Sequence, residues 1–252
     1  MDAGSQQLRM LAQIMRTGRF RQVHVKRRQS RRWRSLLVAR RSVSNQMRSI
    51  ENVVRAITRE AGIKLGTPGR KDFAARLREM AGNEPGLMVL LAPLLAVLAS
   101  MIEQLARLTR QILDIVESQA TCRQLMTSPD VGPITALTCR ATIDRPDRFA
   151  RSRDVGAHLG LTPRRYQSGE TDIAGRISRC GDEFARTALY EAAHTLLVRS
   201  KKWSALRICG LAIAKRRGMA RAKVAVARKL AVILHSMWTS GTDFRFGKEA
   251  LA

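Results

Sequence analysis

The stretch Gly160-Leu-Thr-Pro-Arg-Arg-Tyr-Gln-Ser-Gly-Glu-Thr-Asp172, continued by Gly175-Arg-Ile-Ser-Arg-Cys-Gly181, concentrates the residue types that phosphate chemistry uses. Ser168 stands beside Gly169 and is flanked by Arg164, Arg165, Arg176 and Arg179. A serine hydroxyl attacks a phosphodiester only when it is activated. Guanidinium groups can stabilise charge on the transferring phosphoryl group, and a glycine lets the backbone come close to a ligand. No histidine lies close to Ser168 in sequence. Read from the residues alone, a serine in this setting is more often part of a turn.

Two other constellations suit phosphate contacts. Leu125-Met-Thr-Ser-Pro-Asp-Val-Gly-Pro-Ile-Thr-Ala136 places Gly132 and Pro133 at the opening of a helix, in the manner of a helix-hairpin-helix turn. Such a turn aims backbone N–H groups at a phosphate. Asp130 stands where glycine is usual and would oppose an anion, so a plain interhelical turn is the alternative. Lys215-Arg-Arg-Gly-Met-Ala-Arg-Ala-Lys223 sets Arg217 and Lys223 about a glycine between two helices, and Lys26-Arg-Arg-Gln-Ser-Arg-Arg-Trp-Arg34 is a similar basic run. Both are also compatible with a solvated basic face.

The 252 residues carry 46 Lys and Arg against 20 Asp and Glu, a net charge of +26. Such an excess repels itself in a compact domain until a polyanion relieves it, and nucleic acid is the expected partner. The charge is divided: residues 1–61 are +12, 62–119 only +1, and 120–252 are +13. A neutral middle therefore joins two polyanion-facing ends. The composition reading expects no membrane partner, no spanning apolar run and no signal-peptide core. Cys122, Cys139, Cys180 and Cys209 lack CxxC spacing and read as buried free thiols rather than zinc ligands. Together these imply a cytoplasmic, nucleoid-associated bacterial protein.

The elements that must position these residues are mostly helices, since aromatics are 4% and Leu, Ala, Arg and Met dominate. A short helix is expected over 5–17, with Leu8, Leu11, Ala12 and Met15 on one face, then an extended stretch at Gln22–Lys26. Ser30–Ala61 reads as a long helix closed by Gly62, Gly66, Pro68 and Gly69. Leu87, Leu91, Leu94, Leu98, Met101, Leu105, Leu108, Ile112 and Ile115 then alternate steps of four and three, the pattern of a coiled-coil seam. That seam can pack on the Ser30–Ala61 helix or on a second copy of the chain. Beyond Gln119 short helices are expected at Thr121–Thr142 (broken at Ser128–Pro133), Asp154–Gly160, Asp182–Ser200, Ser204–Arg217 and Arg221–Thr239. Leu161–Gly181 is expected as a long polar loop.

Several motifs from Leu125 to Gly247 resemble the C-terminal domain of the bridge-RNA-guided, DEDD-type insertion-sequence transposases. They are Asp154-Val-Gly-Ala-His-Leu-Gly-Leu-Thr-Pro-Arg-Arg-Tyr-Gln-Ser-Gly169, Gly175-Arg-Ile-Ser-Arg-Cys-Gly-Asp182, Arg186-Thr-Ala-Leu-Tyr-Glu-Ala-Ala193, Trp203-Ser-Ala-Leu206, Arg217-Gly-Met219 and Ala225-Val-Ala-Arg-Lys-Leu230. The resemblance, with the seam upstream, covers nearly the whole chain. It implies that Ser168 is the nucleophile position and that a RuvC-like domain holds Mg2+ through four acidic residues, the last two in an Asp-x-x-Asp-Ala pattern. Asp2-Ala3 resembles the end of that pattern, so Asp2 is the candidate metal ligand and second catalytic residue. The other three acids have no counterpart, which implies an N-terminally truncated chain that does not hold Mg2+ stably.

The expected architecture is thus mainly α: a RuvC-like remnant over 1–30, a helical coiled-coil hairpin over 31–120, and a helical transposase domain with a helix-hairpin-helix-like turn over 121–252. The expected function is a DNA recombinase that cleaves and exchanges strands in transposition. Its expected partners are DNA, a structured guide RNA and a second copy bound through the coiled coil, and its nucleic-acid contacts are Gly132, Arg164, Arg165, Arg176, Arg179, Arg217 and Lys223. The rivals are a non-catalytic DNA- or RNA-binding remnant and a coiled-coil assembly protein whose charge is incidental.

Overall fold

Between Arg28 and Glu60 the chain has neither glycine nor proline, and nothing interrupts the helical hydrogen-bond ladder. In the computed structural model, which describes residues 3–18, 23–82, 84–168, 170–201 and 203–246, this stretch is one continuous helix. The described residues form ten α-helices and one two-stranded sheet, so the protein is mainly α. In order they are α1 (Ala3–Arg16), α2 (Arg28–Glu60), α3 (Phe73–Ala81), α4 (Pro85–Ser118), α5 (Ala120–Leu125), α6 (Pro133–Ile143) and, after a 3-10 turn at Pro146–Arg148, α7 (Ser152–His158). The strands β1 (Pro163–Ser168) and β2 (Thr171–Ile177) follow, then α8 (Glu183–Val198), α9 (Ala205–Arg217) and α10 (Met219–Ser240).

The helices α2 and α4 lie antiparallel. Met47 and Val54, late in α2, share a core with Leu91, Leu95 and Leu98, early in α4. Trp33 and Leu37, at the start of α2, pack with Ile112 and Val116 at the end of α4. All nine seam positions from Leu87 to Ile115 are buried or half-buried, and α2 and the short α3 supply their partners. Phe73 and Leu77 of α3, in the connection from α2 to α4, are buried in the same core.

The α4 helix corrects one sequence expectation. Pro85–Ile102 carries no charged residue, and by length and composition the helix could cross a membrane. Its inward side packs with α2 and α3, where Leu91, Leu95 and Leu98 are buried, while most of the apolar stretch is exposed. Arg40 of α2 donates to Thr109 of α4, and Arg55 and Glu51 of α2 belong to an ion-pair cluster with Arg70.

The C-terminal unit is assembled on α10, which packs against α7, α8 and α9 and buries Val226, Leu230 and Leu234. Local chemistry places the helix starts. Asp182 accepts the Ala185 amide to cap α8, Ser204 accepts the Arg207 amide to cap α9, and Pro133 opens α6 after Gly132. The Arg140 guanidinium of α6 lies over the Trp33 ring of α2 and the Trp238 ring of α10. This packing joins the helical pair to the C-terminal core.

Leu161–Gly181 is not the polar loop expected from sequence. Its central residues form an antiparallel hairpin, with Arg165 opposite Ala174, Tyr166 opposite Ile173, Gln167 opposite Asp172 and Ser168 opposite Thr171. The expected helix over 5–17 is present, but Leu8, Leu11 and Met15 on its apolar side are exposed. Asp2, Gln22, Gly169 and Gly247 lie outside the described residues.

Candidate nucleic-acid interface

The hairpin is fixed at its base. Gly160 and Gly181 have φ of +67° and +119°, and a Cβ on either would collide with backbone, at Cys180 and His158 respectively. Only glycine meets both demands, so α7 and the two ends of the hairpin close on one another. The Ser178 amide donates to the Thr162 carbonyl at 2.8 Å, and the Arg179 amide to the Gly160 carbonyl at 3.2 Å. Arg179 itself adopts φ +56°. Its carbonyl accepts from Arg186 of α8, which also donates to the Leu159 carbonyl.

Alternation along the strands sorts the side chains. Ser168 shares a face with Tyr166 and, across the ladder, Ile173; all three are exposed. Tyr166 lies over Gly175, where a Cβ would come within 3.0 Å of its ring. The opposite face carries Arg165, Gln167 and Asp172. There Arg165 makes a two-pronged pair with Asp172, at 3.1 and 2.8 Å. Arg176 follows Asp172 in the β2 alternation and so belongs to that second face. Arg164, beside an irregularity in the register, donates from Nε and Nη2 to the Ser178 carbonyl. The arginines therefore ring the hairpin instead of converging on Ser168. No hydrogen-bond partner holds the Ser168 hydroxyl among the described residues.

One buried carboxylate, Asp144, and one half-buried carboxylate, Asp182, seat this unit on α2 and the segment before it. Asp182, next to the hairpin base, takes both oxygens to Arg34 Nη1 at 2.7 and 2.6 Å, with Lys26 Nζ 3.8 Å away. Asp144 accepts from Ser30 Oγ, from the Arg27 amide at 3.1 Å and from His24 Nε2 at 2.8 Å. Burial alone would raise either carboxyl. The donors outweigh it and hold both below the ordinary carboxylate value.

The remaining site residues sit on other elements. Gly132 is the half-buried N-cap of α6, in extended backbone. Asp130 takes φ +59°, the left-handed conformation usually reserved for glycine but open to aspartate. Ser128 Oγ and one Asp130 oxygen are buried without a partner among the described residues, and the Phe244 amide donates to Thr127. The turn is thus partly covered by the chain after α10. Arg217 is exposed at the end of α9, and Lys223 of α10 places its ammonium 6.0 Å from the Tyr190 ring centroid. Gly218 joins these two helices at φ +83°.

Among the described residues no group of three or more His, Cys, Asp and Glu side chains could hold a metal ion. These residues do not fit Mg2+, and Asp2 is outside them. The cysteines divide: Cys122 and Cys139 are buried, their thiols pushed by burial up to about 11 and about 12. Cys180 is exposed at the hairpin base, which corrects the expectation of four buried thiols. Tyr166 and Ile173 escaped the sequence reading as partners of Ser168, because their shared face follows from the strand pairing.

Residues 122–208 match the model of the IS116/IS110/IS902 transposase family. The matched stretch runs from α5 into α9 and contains the Gly132 turn, the hairpin with Ser168, and Asp182. The chain is also 29% identical, over 219 residues, to the transposase for insertion sequence element IS1111A of Coxiella burnetii, covering 84% of this chain and 60% of the relative. It is 30% identical, over 202 residues, to a probable family 20 transposase of Pseudomonas aeruginosa, covering 78% and 60%. A putative transposase of Sinorhizobium fredii is 29% identical over 202 residues, covering 78% and 52%. The chain thus spans 52–60% of the length of these relatives. The family model and all three relatives are described as transposases.

Proposed function

We propose that the chain is the DNA-engaging and strand-transferring part of an insertion-sequence transposase, with Ser168 as the phosphoryl acceptor. The observation that carries this reading is the exposed hairpin inside the family-matched stretch. It presents a serine hydroxyl, an exposed tyrosine and four arginines on a base fixed by two glycines. In the proposed step the Ser168 Oγ bonds to phosphorus as one bridging P–O bond breaks, and a strand end leaves as a free hydroxyl. Arg164, Arg176 and Arg179 hold flanking phosphates, Arg165 stays paired with Asp172, and Gly132, Arg217 and Lys223 contact the strand further away. The resemblance of Asp2 to the close of a RuvC-like acidic set belongs to this reading, as do a structured guide RNA, self-association and a place on the bacterial nucleoid; Mg2+ belongs to the intact family and would not be held stably by this chain alone.

The basic ends favour this reading over a coiled-coil assembly protein. If the charge serves DNA, log affinity falls linearly with log salt, with a slope of about −0.9 per phosphate neutralised on duplex DNA. Replacing Arg164, Arg176 and Arg179 with Ala should make that slope shallower by about two to three units, measured by fluorescence anisotropy over a salt series. Arg165 is left in place because Asp172 already pairs with it. An unchanged slope would remove the hairpin from the interface, and salt-independent binding would favour the assembly reading.

A further inference from the structure

A cleft of about 980 Å3 lies between the extended segment that precedes α2 and the start of α7, lined among others by Val23, Val25, Arg148, Phe149, Asp154 and His158. Arg148 is its distinctive group. The guanidinium stacks 4.6 Å from the Phe149 ring centroid, and Nη2 donates to His158 Nε2 at 3.0 Å. Phe149 meets His158 edge-on at 5.2 Å and packs against the main core, so the guanidinium is held from two sides. Burial, with Arg148 and Lys26 nearby, holds the His158 imidazole below its ordinary value, which keeps it a neutral acceptor for Arg148.

Among the described residues the ion pairs do not include Arg148. A half-buried guanidinium without a carboxylate partner is costly unless an anion completes it, and the planar fork matches a phosphate. Arg151 and Arg153 are exposed on the same stretch, while Asp154 opposes an anion from the rim. Val23 and Val25, 81% and 77% exposed, add apolar surface at which a base could rest. The volume is that of a small-ligand pocket. It accommodates a nucleotide or two and is far too small for a duplex.

We infer that this cleft is a second nucleic-acid subsite, which takes a phosphodiester of a single strand on Arg148 and rests the adjoining base on Val23 and Val25. The inference builds on the nucleic-acid reading above but uses none of the hairpin residues. The test compares labelled oligothymidylate with a duplex of the same length by anisotropy. Arg148→Ala should weaken oligothymidylate binding by about tenfold or more, the scale of a lost charge-assisted hydrogen bond, with duplex binding little changed. Arg148→Lys should restore part of the loss. Arg153→Ala, which removes one charge from the same stretch, should cost much less. Equal losses in Arg148→Ala and Arg153→Ala would reduce the effect to net charge and overturn the proposal, as would unchanged oligothymidylate binding by Arg148→Ala. If the unmodified protein binds neither strand, the underlying nucleic-acid reading falls first. Should Arg148→Ala melt without cooperativity, photocrosslinking of the unmodified protein to 5-iodouracil oligonucleotide decides. Adducts on Phe149 or His158 support the subsite, and adducts confined to Tyr166 overturn it.

Discussion

Asp144 shows how one side chain can hold a basic segment in place. Its carboxylate is buried, sits at φ +62°, and collects the Ser30 hydroxyl, the Arg27 amide and the His24 ring from a segment more than a hundred residues away in sequence. Asparagine is nearly isosteric with aspartate, so Asp144→Asn isolates the charge. Losing the charge-assisted bonds should cost about 2–3 kcal/mol. The pH dependence has a definite sign. The folded carboxyl titrates below its unfolded value of about 3.9, so its contribution is complete above that value and is lost as pH falls through the depressed one. Denaturant melts across a pH series should therefore show a gentler acid loss in Asp144→Asn than in the parent, with Asp182 left to carry its own share. Parallel stability curves in the two proteins would mean that Asp144 does not carry this charge.

At the scale of elements, the hairpin depends on its base. Ala at Gly181 adds a Cβ against the His158 carbonyl and a residue at φ +119°, and Ala at Gly160 repeats the conflict on the other side. Each should cost about 1–3 kcal/mol through strain and displaced contacts, with faster hydrogen exchange at the Ser178 and Arg179 amides. A Gly181→Ala protein with parental melting and exchange would contradict the close approach. The helices around this hairpin were legible in the sequence, since apolar spacing marks α2 and α4, Asp182 marks the start of α8, and Gly62 follows the end of α2. The hairpin was not. Arg164, Arg165, Gln167, Asp172 and Arg176 leave no apolar alternation, and the strand formers Tyr166, Thr171, Ile173 and Ile177 are scattered among them. Nor could spacing reveal that strand pairing turns Arg165 away from Ser168, or that Arg34 reaches Asp182 across 148 residues.

The whole molecule carries a net charge of +26, and the antiparallel pair joins α2, within the basic segment 1–61, to α4 of the near-neutral segment 62–119. The seam residues of α4 are taken up within the chain, whereas Val89, Leu90 and Val97 are exposed. Self-association through α4 would therefore use residues outside the seam. The central claim is that this assembly presents Ser168 to a DNA phosphate, and capture of the covalent intermediate tests it most directly. The chain would be joined to the N-terminal part of the Coxiella burnetii relative, incubated with terminal DNA of that element in magnesium, and denatured to reveal DNA-linked protein. The account predicts an adduct whose linkage maps by mass spectrometry to Ser168, and its loss in Ser168→Ala while DNA binding persists. An adduct that survives Ser168→Ala, or that maps to another residue, would contradict the account.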